Sequence, residues 1–288
     1  MKMKVNKETV LIGSDFELFL TNDEGKFISA IPFNSGTKKF PEQLPRKGCC
    51  LQYDGVLQEC NVPPVKLDGS QEFLENLEYI KSYILSKYAK EEKLKITCCP
   101  SAEFTEDQLE HPEAKVAGCS PSYNAWLDGE MNPSCNLLDT NLRVCGGHLH
   151  FSFEGADVNN SIDLMKVFDT FVTIPCLFLD SDERRRQLYG KAGEMRLCEW
   201  SESRGFEART LSNFWVEDRE YVEYIFNQIN QMFDYYNEHG MDKINEMSID
   251  IVEAINSSNK ELAGKICDEF GILVLIKEKE LTDVWDAY

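Results

Sequence analysis

The sequence predicts an α+β domain whose sheet packs on one face and carries chemistry on the other. Three observations predict it. Gly146-Gly147-His148-Leu149-His150-Phe151-Ser152-Phe153 alternates with a period of two, so a strand presents His148, His150 and Ser152 on one face and Leu149, Phe151 and Phe153 on the other. Apolar residues recur every three to four positions at Phe73, Leu77, Ile80, Ile84 and Tyr88, and again at Tyr221, Ile225, Ile229, Met232 and Tyr236, the spacing of amphipathic helices. The chain's 288 residues, 42% hydrophobic and 28% charged, suffice for one large core, and neither a repeat nor a low-complexity linker divides them. A single domain over 1–288 with a mostly helical part from 216 onward is the simplest division.

Charge and cysteine usage exclude several function classes. Thirty basic residues against fifty acidic ones give a net charge of −20, which repels nucleic acid and anionic membranes over most of the surface. No apolar run is long enough to span a bilayer. The segment from Met1 to Val10 is charged and has no apolar leader core, so the eleven cysteines read as reduced thiols of a cytoplasmic protein. The adjacent pairs Cys49-Cys50 and Cys98-Cys99 fit neither zinc-site spacing nor easy disulfide geometry.

In chain order, Val10 to Leu20 reads as a strand closed by a turn at Asn22-Asp23-Glu24-Gly25, with Asp15 and Glu17 on one face between apolar flanks. Residues 32–48, rich in proline, glycine and lysine, read as a surface loop in which Lys38 and Lys39 could meet an anion, with solvation the favoured reading. Leu51 to Leu57 reads as a hairpin turning at Asp54-Gly55, and Glu59 lies on the return strand, which Pro63 and Pro64 should end. A helix capped by Ser70 follows to about Lys90, then a short strand over Leu94–Cys99 and an irregular stretch from Pro100 to Pro133. Beyond the histidine strand, Ile162 to Leu179 is helical and disturbed at Pro175. Helices are expected over Tyr221–Glu238, ended by Gly240, and over 241–256 and 260–270, with Gly271 to Lys277 after them.

The segment between those helices reverses the local charge. Arg184, Arg185, Arg186, Lys191, Arg196, Arg204 and Arg209 collect in 26 residues of an acidic protein, as a bound polyanion requires; mere pairing with the many acids is the lesser alternative. Glu207 and Arg209 repeat the i,i+2 spacing of His148 and His150. Asp15, Glu17, Glu59, the two histidines, Glu207 and Arg209 therefore fall on separate strands of one sheet. Oxygen ligands with an imidazole suit Mg²⁺ or Mn²⁺ better than zinc. Neither a GxxxxGK[ST] loop nor a GxGxxG fingerprint occurs.

These motifs, in this order, resemble the carboxylate-amine ligases on the glutamine synthetase fold, a group that includes glutamate-cysteine ligase, and most closely its phage-type COOH-NH2 ligase type 2 members. The likeness is carried by Gly13-Ser14-Asp15-Phe16-Glu17, Asp54-Gly55-Val56 with Glu59-Cys60-Asn61-Val62-Pro63, Gly146-Gly147-His148-Leu149-His150, Arg185-Arg186 with Tyr189-Gly190-Lys191-Ala192-Gly193 and Arg196, and Glu207-Ala208-Arg209-Thr210-Leu211-Ser212-Asn213. It covers about residues 10–215. It implies a curved, mainly antiparallel sheet with helices packed on one face, two or three Mg²⁺ ions, and ATP beside an acid substrate. Glu17, Glu59, His148 and Glu207 match the family's metal ligands, and Arg209 matches its phosphate-binding arginine. Asp15 stands where relatives often carry glutamate, one methylene longer. Arg196 is expected beside Arg209 in the cavity, Arg185, Arg186, Lys191 and His150 at the nucleotide, and Arg184 in solvent. The implied reaction forms an amide through an acyl phosphate, with small amino acids or peptides as substrates.

Three alternatives stay open. A guanidino kinase would stop at phosphoryl transfer. A cupin would use His148-x-His150-x-x-x-Glu154, but lacks its later histidine motif and would not carry such long helices. A non-catalytic binding protein on the ligase fold would turn over no nucleotide. Substrate identity, the group that takes the amine proton, and oligomeric state are not encoded in these patterns.

Overall fold

Alternating residues of the strands do pair into one large sheet. The computed structural model describes residues 4–88, 93–116, 121–133, 137, 139–180, 182–200, 203–276 and 284–285. The strands are β1 (Leu11–Thr21), β2 (Phe27–Ile28), β3 (Glu42–Gln43), β4 (Cys50–Asp54), β5 (Leu57–Lys66), β6 (Lys95–Thr97), β7 (Ser101–Glu103), β8 (Tyr123–Asn124), β9 (Glu130–Met131), β10 (Leu142–Val144), β11 (Gly147–Ser152), β12 (Glu194–Trp200), β13 (Ser203–Ala208) and β14 (Val284–Trp285). The main path runs β3-β4-β5-β1-β11-β13-β12-β8-β9, with β2 and β6 on the far part of β1 and β14 on β6, while β7 and β10 form a separate pair. Every strand pairing among the described residues is antiparallel, and the sheet does not close on itself.

The helices are α1 (Ser70–Leu85), α2 (Val158–Phe168), α3 (Ile174–Cys176), α4 (Arg185–Leu188), α5 (Arg219–His239), α6 (Asp242–Glu246), α7 (Ser248–Asn256) and α8 (Lys260–Phe270). α1 packs on β5, α2 on β12 and β13, and α5 across α1 and α2. The apolar face of β11 supplies the contact: Phe151 stacks on Phe206 at 4.9 Å and meets Phe168 of α2 and Phe233 of α5 edge-on. One face of the sheet is thus buried under helices, which leaves the histidine face for chemistry. No helix among the described residues is long and apolar enough to cross a membrane.

Several boundaries differ from the sequence expectation for identifiable reasons. β5 runs through Pro63 and Pro64 because its pairing with β1 shifts register there, between Ile12↔Val65 and Ser14↔Val62, and a shifted ladder needs no N–H from them. The 32–48 stretch is not wholly irregular, since Glu42–Gln43 pairs with Cys50–Leu51. Ser70 begins α1 rather than capping it, Gly69 being the cap. The expected helix end at Lys90 and the expected tail end at Lys277 both lie outside the described residues. α2 starts earlier than its apolar stripe because Asp157 and Asn160 cap it reciprocally, at 2.8 and 2.9 Å. It passes into a π-turn over Asp169–Thr173 ahead of Pro175, whose missing N–H breaks the helical ladder.

That π-turn presents Asp169 to donors from its own turn and from two other segments. Its carboxylate accepts from Trp126 Nε1 at 2.7 Å, Gly193 N at 2.6 Å and Thr173 Oγ1 at 3.1 Å, and it is fully buried. Burial pushes its pKa up to about 7, with the hydrogen bonds acting the other way. Asp169→Ala should cost roughly 2–4 kcal/mol, because it strands two buried N–H groups. Asp169→Asn should cost far less, since its oxygen still serves both N–H groups while its NH₂ meets the Thr173 hydroxyl. With a folded pKa above the unfolded one, the wild-type contribution is full below about pH 4 and fades as pH rises through about 7. Thermal unfolding of the three proteins between pH 5 and 8 checks both the order and the slope, the Asn variant gaining on wild type as pH rises.

Candidate active site

Strand register assembles the site. Across the sheet Glu59 stands opposite Glu17, Asp15 opposite His148, His150 opposite Glu207, and Glu207 opposite Arg196. Side chains directly opposite share a face, so five neighbouring strands deliver their polar residues to one side. Asp15, Glu17, Glu59, His148, Arg196, Glu207 and Arg209 all line one cavity of about 280 Å³. His150 stands at its back, with Nε2 3.1 Å from Asp15.

The acids fall into two groups. Asp15, His150 and Glu207 offer ligand atoms within 4.8 Å of one another, and so do Glu17, Asp54 and Glu59. In the first group the cations are already matched to the acids. Glu207, 2% exposed, accepts from Arg209 Nε at 2.5 Å and Arg196 Nη1 at 3.3 Å, and His148 Nδ1 lies 3.1 Å from Asp15 and 3.4 Å from Glu207. Burial alone would raise Asp15, but the His150 and His148 charges hold it well below the usual carboxylate range. Burial and Asp15 likewise push Glu207 up, and Arg209 with the histidines brings it down.

The second group is short of positive charge. Burial pushes Glu17 up to about 7, with Asp54 and Asp15 adding to the rise against His148. Glu59 is raised well above its ordinary value by burial and then by Asp15, Asp54 and Glu17. Glu17 also accepts from Gly146 N at 2.5 Å, and Glu59 from Gln52 Nε2 at 2.5 Å. Gly146 is required by the fold of the imidazole back over it, since a Cβ there would lie 2.1 Å from His148 Nε2.

The basic segment divides between cavity and framework. Arg185 is 1% exposed, and its guanidinium donates to the carbonyls of Cys145, Arg209 and Thr210 at 2.7–3.1 Å. It passes so close to Gly190, whose φ is +79°, that a Cβ would sit 1.7 Å from Nη1. Glu194 fixes the same turn by accepting from Gly190 N and Lys191 N, and Asp169 holds Gly193 N. Arg186 donates to Ser258 Oγ at 3.0 Å, Lys191 is exposed, and Arg184 pairs with Asp182 in a separate surface groove. None of these four side chains lines the cavity. Glu154 of the cupin-like spacing is exposed beyond the end of β11.

Among the cavity residues to which the sequence reading gave no role, Asp54, Lys38 and Tyr189 make the closest contacts with the groups above. Asp54 was legible as the turn residue before Gly55 and as part of a resemblance motif but with no ligand role, and its proximity to Glu17 and Glu59 follows from the pairing of β4 with β5. Lys38 reaches the cavity and places Nζ 2.6 Å from Asp54. Tyr189 lies under both guanidiniums, with Arg185 5.4 Å and Arg209 5.8 Å from its ring centre, and His148 edge-on at 5.6 Å. The donor set fits Mg²⁺ or Mn²⁺: it is carboxylate-rich, its second group is under-neutralised, and buried His148 Nε2 has no hydrogen-bond partner among the described residues.

Among solved structures the chain is similar to one described as a novel glutamine synthase homolog, at 10% identity and a TM-score of 0.39, over 91% of this chain and 66% of that one. It thus spans just under two thirds of that protein's length. No curated protein matches it. Residues 139–270, which carry His148, His150, Arg196, Glu207 and Arg209, match the family described as Phage phiEco32-like COOH.NH2 ligase-type 2.

Proposed function

We propose that this cavity joins a carboxylate to an amine at the expense of ATP, by way of an acyl phosphate. The observation that carries the reading is the convergence of buried acids from β1, β5 and β13 with Arg196 and Arg209 on one cavity, in a chain whose 139–270 segment matches a carboxylate-amine ligase family. Asp15, His150 and Glu207 would hold one divalent cation and Glu17, Asp54 and Glu59 another, with His148 beside the first. Mg²⁺ or Mn²⁺ bound there supplies neutralisation of phosphate oxygens.

The chain's own residues do the rest. Arg209, held by Glu207 and seated on Tyr189, presents a fixed guanidinium to the γ-phosphoryl group, and Arg196 approaches from the neighbouring strand. A carboxylate oxygen of the acid substrate forms a bond to the γ-phosphorus as the bond to ADP breaks. The amine nitrogen then forms a bond to the acyl carbon, phosphate leaves with the former carboxylate oxygen, and the amine proton passes to a base. Holding both reactants against one wall of the sheet supplies the proximity that makes this order feasible.

Hydroxylamine in place of the amine tests the reading. With ATP, Mg²⁺ and a panel of amino acids and short peptides, the protein should release ADP and yield a hydroxamate of the acid substrate, detected by its ferric complex and by mass. A kinase would give a stable phosphorylated product and no hydroxamate. ATP left unhydrolysed across the panel would favour a binding protein.

A further inference from the structure

Lys38 occupies a place that the ligase reading does not use. It sits at the tip of a tight hairpin whose Thr37 and Phe40 exchange backbone hydrogen bonds, both of 3.0 Å. The stem is pinned: Tyr53 N donates to Gly36 O at 3.2 Å, and a Cβ on Gly36 would fall 2.1 Å from Leu51 O. Lys39 turns away to the Phe40 ring, 5.5 Å from its centre. Lys38 instead leans over the cavity, 48% exposed along its side chain, and gives its ammonium to Asp54 at 2.6 Å.

The two acid groups differ in their cations. Asp15 and Glu207 face several cations at once, Arg209 at 2.5 Å, the histidines at 3.1 Å and Arg196 at 3.3 Å. Glu17, Asp54 and Glu59 face Lys38 on a flexible stem, with His148 acting on Glu17 from the other group. A lysine ammonium is a compact point charge on a flexible four-carbon stem, so it can neutralise a cluster and then leave it.

We infer that Lys38 is a built-in counter-cation of the Glu17, Asp54 and Glu59 group: a divalent ion entering that group displaces its ammonium from Asp54 and swings it off the cavity mouth. The inference rests on the metal assignment made above. It makes Lys38 a positioning residue that sets the ion affinity of this group and clears the entrance once the ion is in place.

Mn²⁺ binding to the whole protein, followed by calorimetry and by electron paramagnetic resonance, tests it without reference to turnover. Lys38→Met should tighten one class of Mn²⁺ sites at least about ten-fold, as expected for removing a unit charge a few ångströms from a partly buried site. Lys39→Met should leave it unchanged. In wild type, acetylation of Lys38 by a small amine-reactive reagent, read by mass spectrometry, should rise several-fold when Mn²⁺ is added. Equal or weaker Mn²⁺ binding by Lys38→Met, or labelling that Mn²⁺ does not raise, overturns the inference and leaves the metal assignment standing. Absence of Mn²⁺ binding in every protein overturns both.

Discussion

Glu207→Gln is expected to lower hydroxamate formation by roughly a hundred- to a thousand-fold, the range seen when a charge-stabilising group is removed from a pre-organised site. The swap is nearly isosteric, yet it removes a charge that several groups share. Arg209 Nε, Arg196 Nη1 and His148 Nδ1 all approach this carboxylate within 3.4 Å, and Asp15 and His150 complete its ligand group. Loss of that charge weakens ion binding and frees Arg209 from its fixed bearing. Because Arg209 is 2% exposed, it also leaves a buried cation short of a partner, which costs several kcal/mol in other proteins. Circular dichroism and thermal unfolding must therefore accompany the assay, at a temperature where the variant is folded. Hydroxamate at an undiminished rate from folded Glu207→Gln would refute the assigned mechanism.

Arg209→Lys should cut turnover about a hundred-fold with little change in secondary structure. Lysine keeps the charge but loses the planar, two-point grip on a phosphate and the stacking on Tyr189, 5.8 Å from the guanidinium. A single ammonium cannot reproduce both the 2.5 Å bond to Glu207 and a presentation into the cavity. The loss should appear in kcat more than in the KM for ATP if the guanidinium acts chiefly on the transferring group. Steady-state ADP release checks this, and near-normal release would remove Arg209 from the chemistry.

Periodicity explains why so much of the cavity was readable in advance. A period of two places Asp15 with Glu17, and His148 apart from Leu149, whatever the rest of the chain does. Arg185 shows the limit of that reasoning. Its charge and its neighbours resemble those of Arg196, but only folding decides that three backbone carbonyls take its guanidinium while Arg196 turns to Glu207. Local charge density records how many cations a segment holds and not which of them face a void.

By itself the sequence determined the helical stripes, the alternation of β1, β11 and β13, and the chemical character of their polar face, because these follow from spacing along one chain. Only the tertiary structure decided the two carboxylate groups. Asp54 joins Glu17 and Glu59 because β4 and β5 pair in one register, and Lys38 joins them because a pinned hairpin leans across the strands. Register is a property of two strands' hydrogen bonds meeting, and a slip of one residue would turn the slipped strand's side chains to the opposite face and break the group apart.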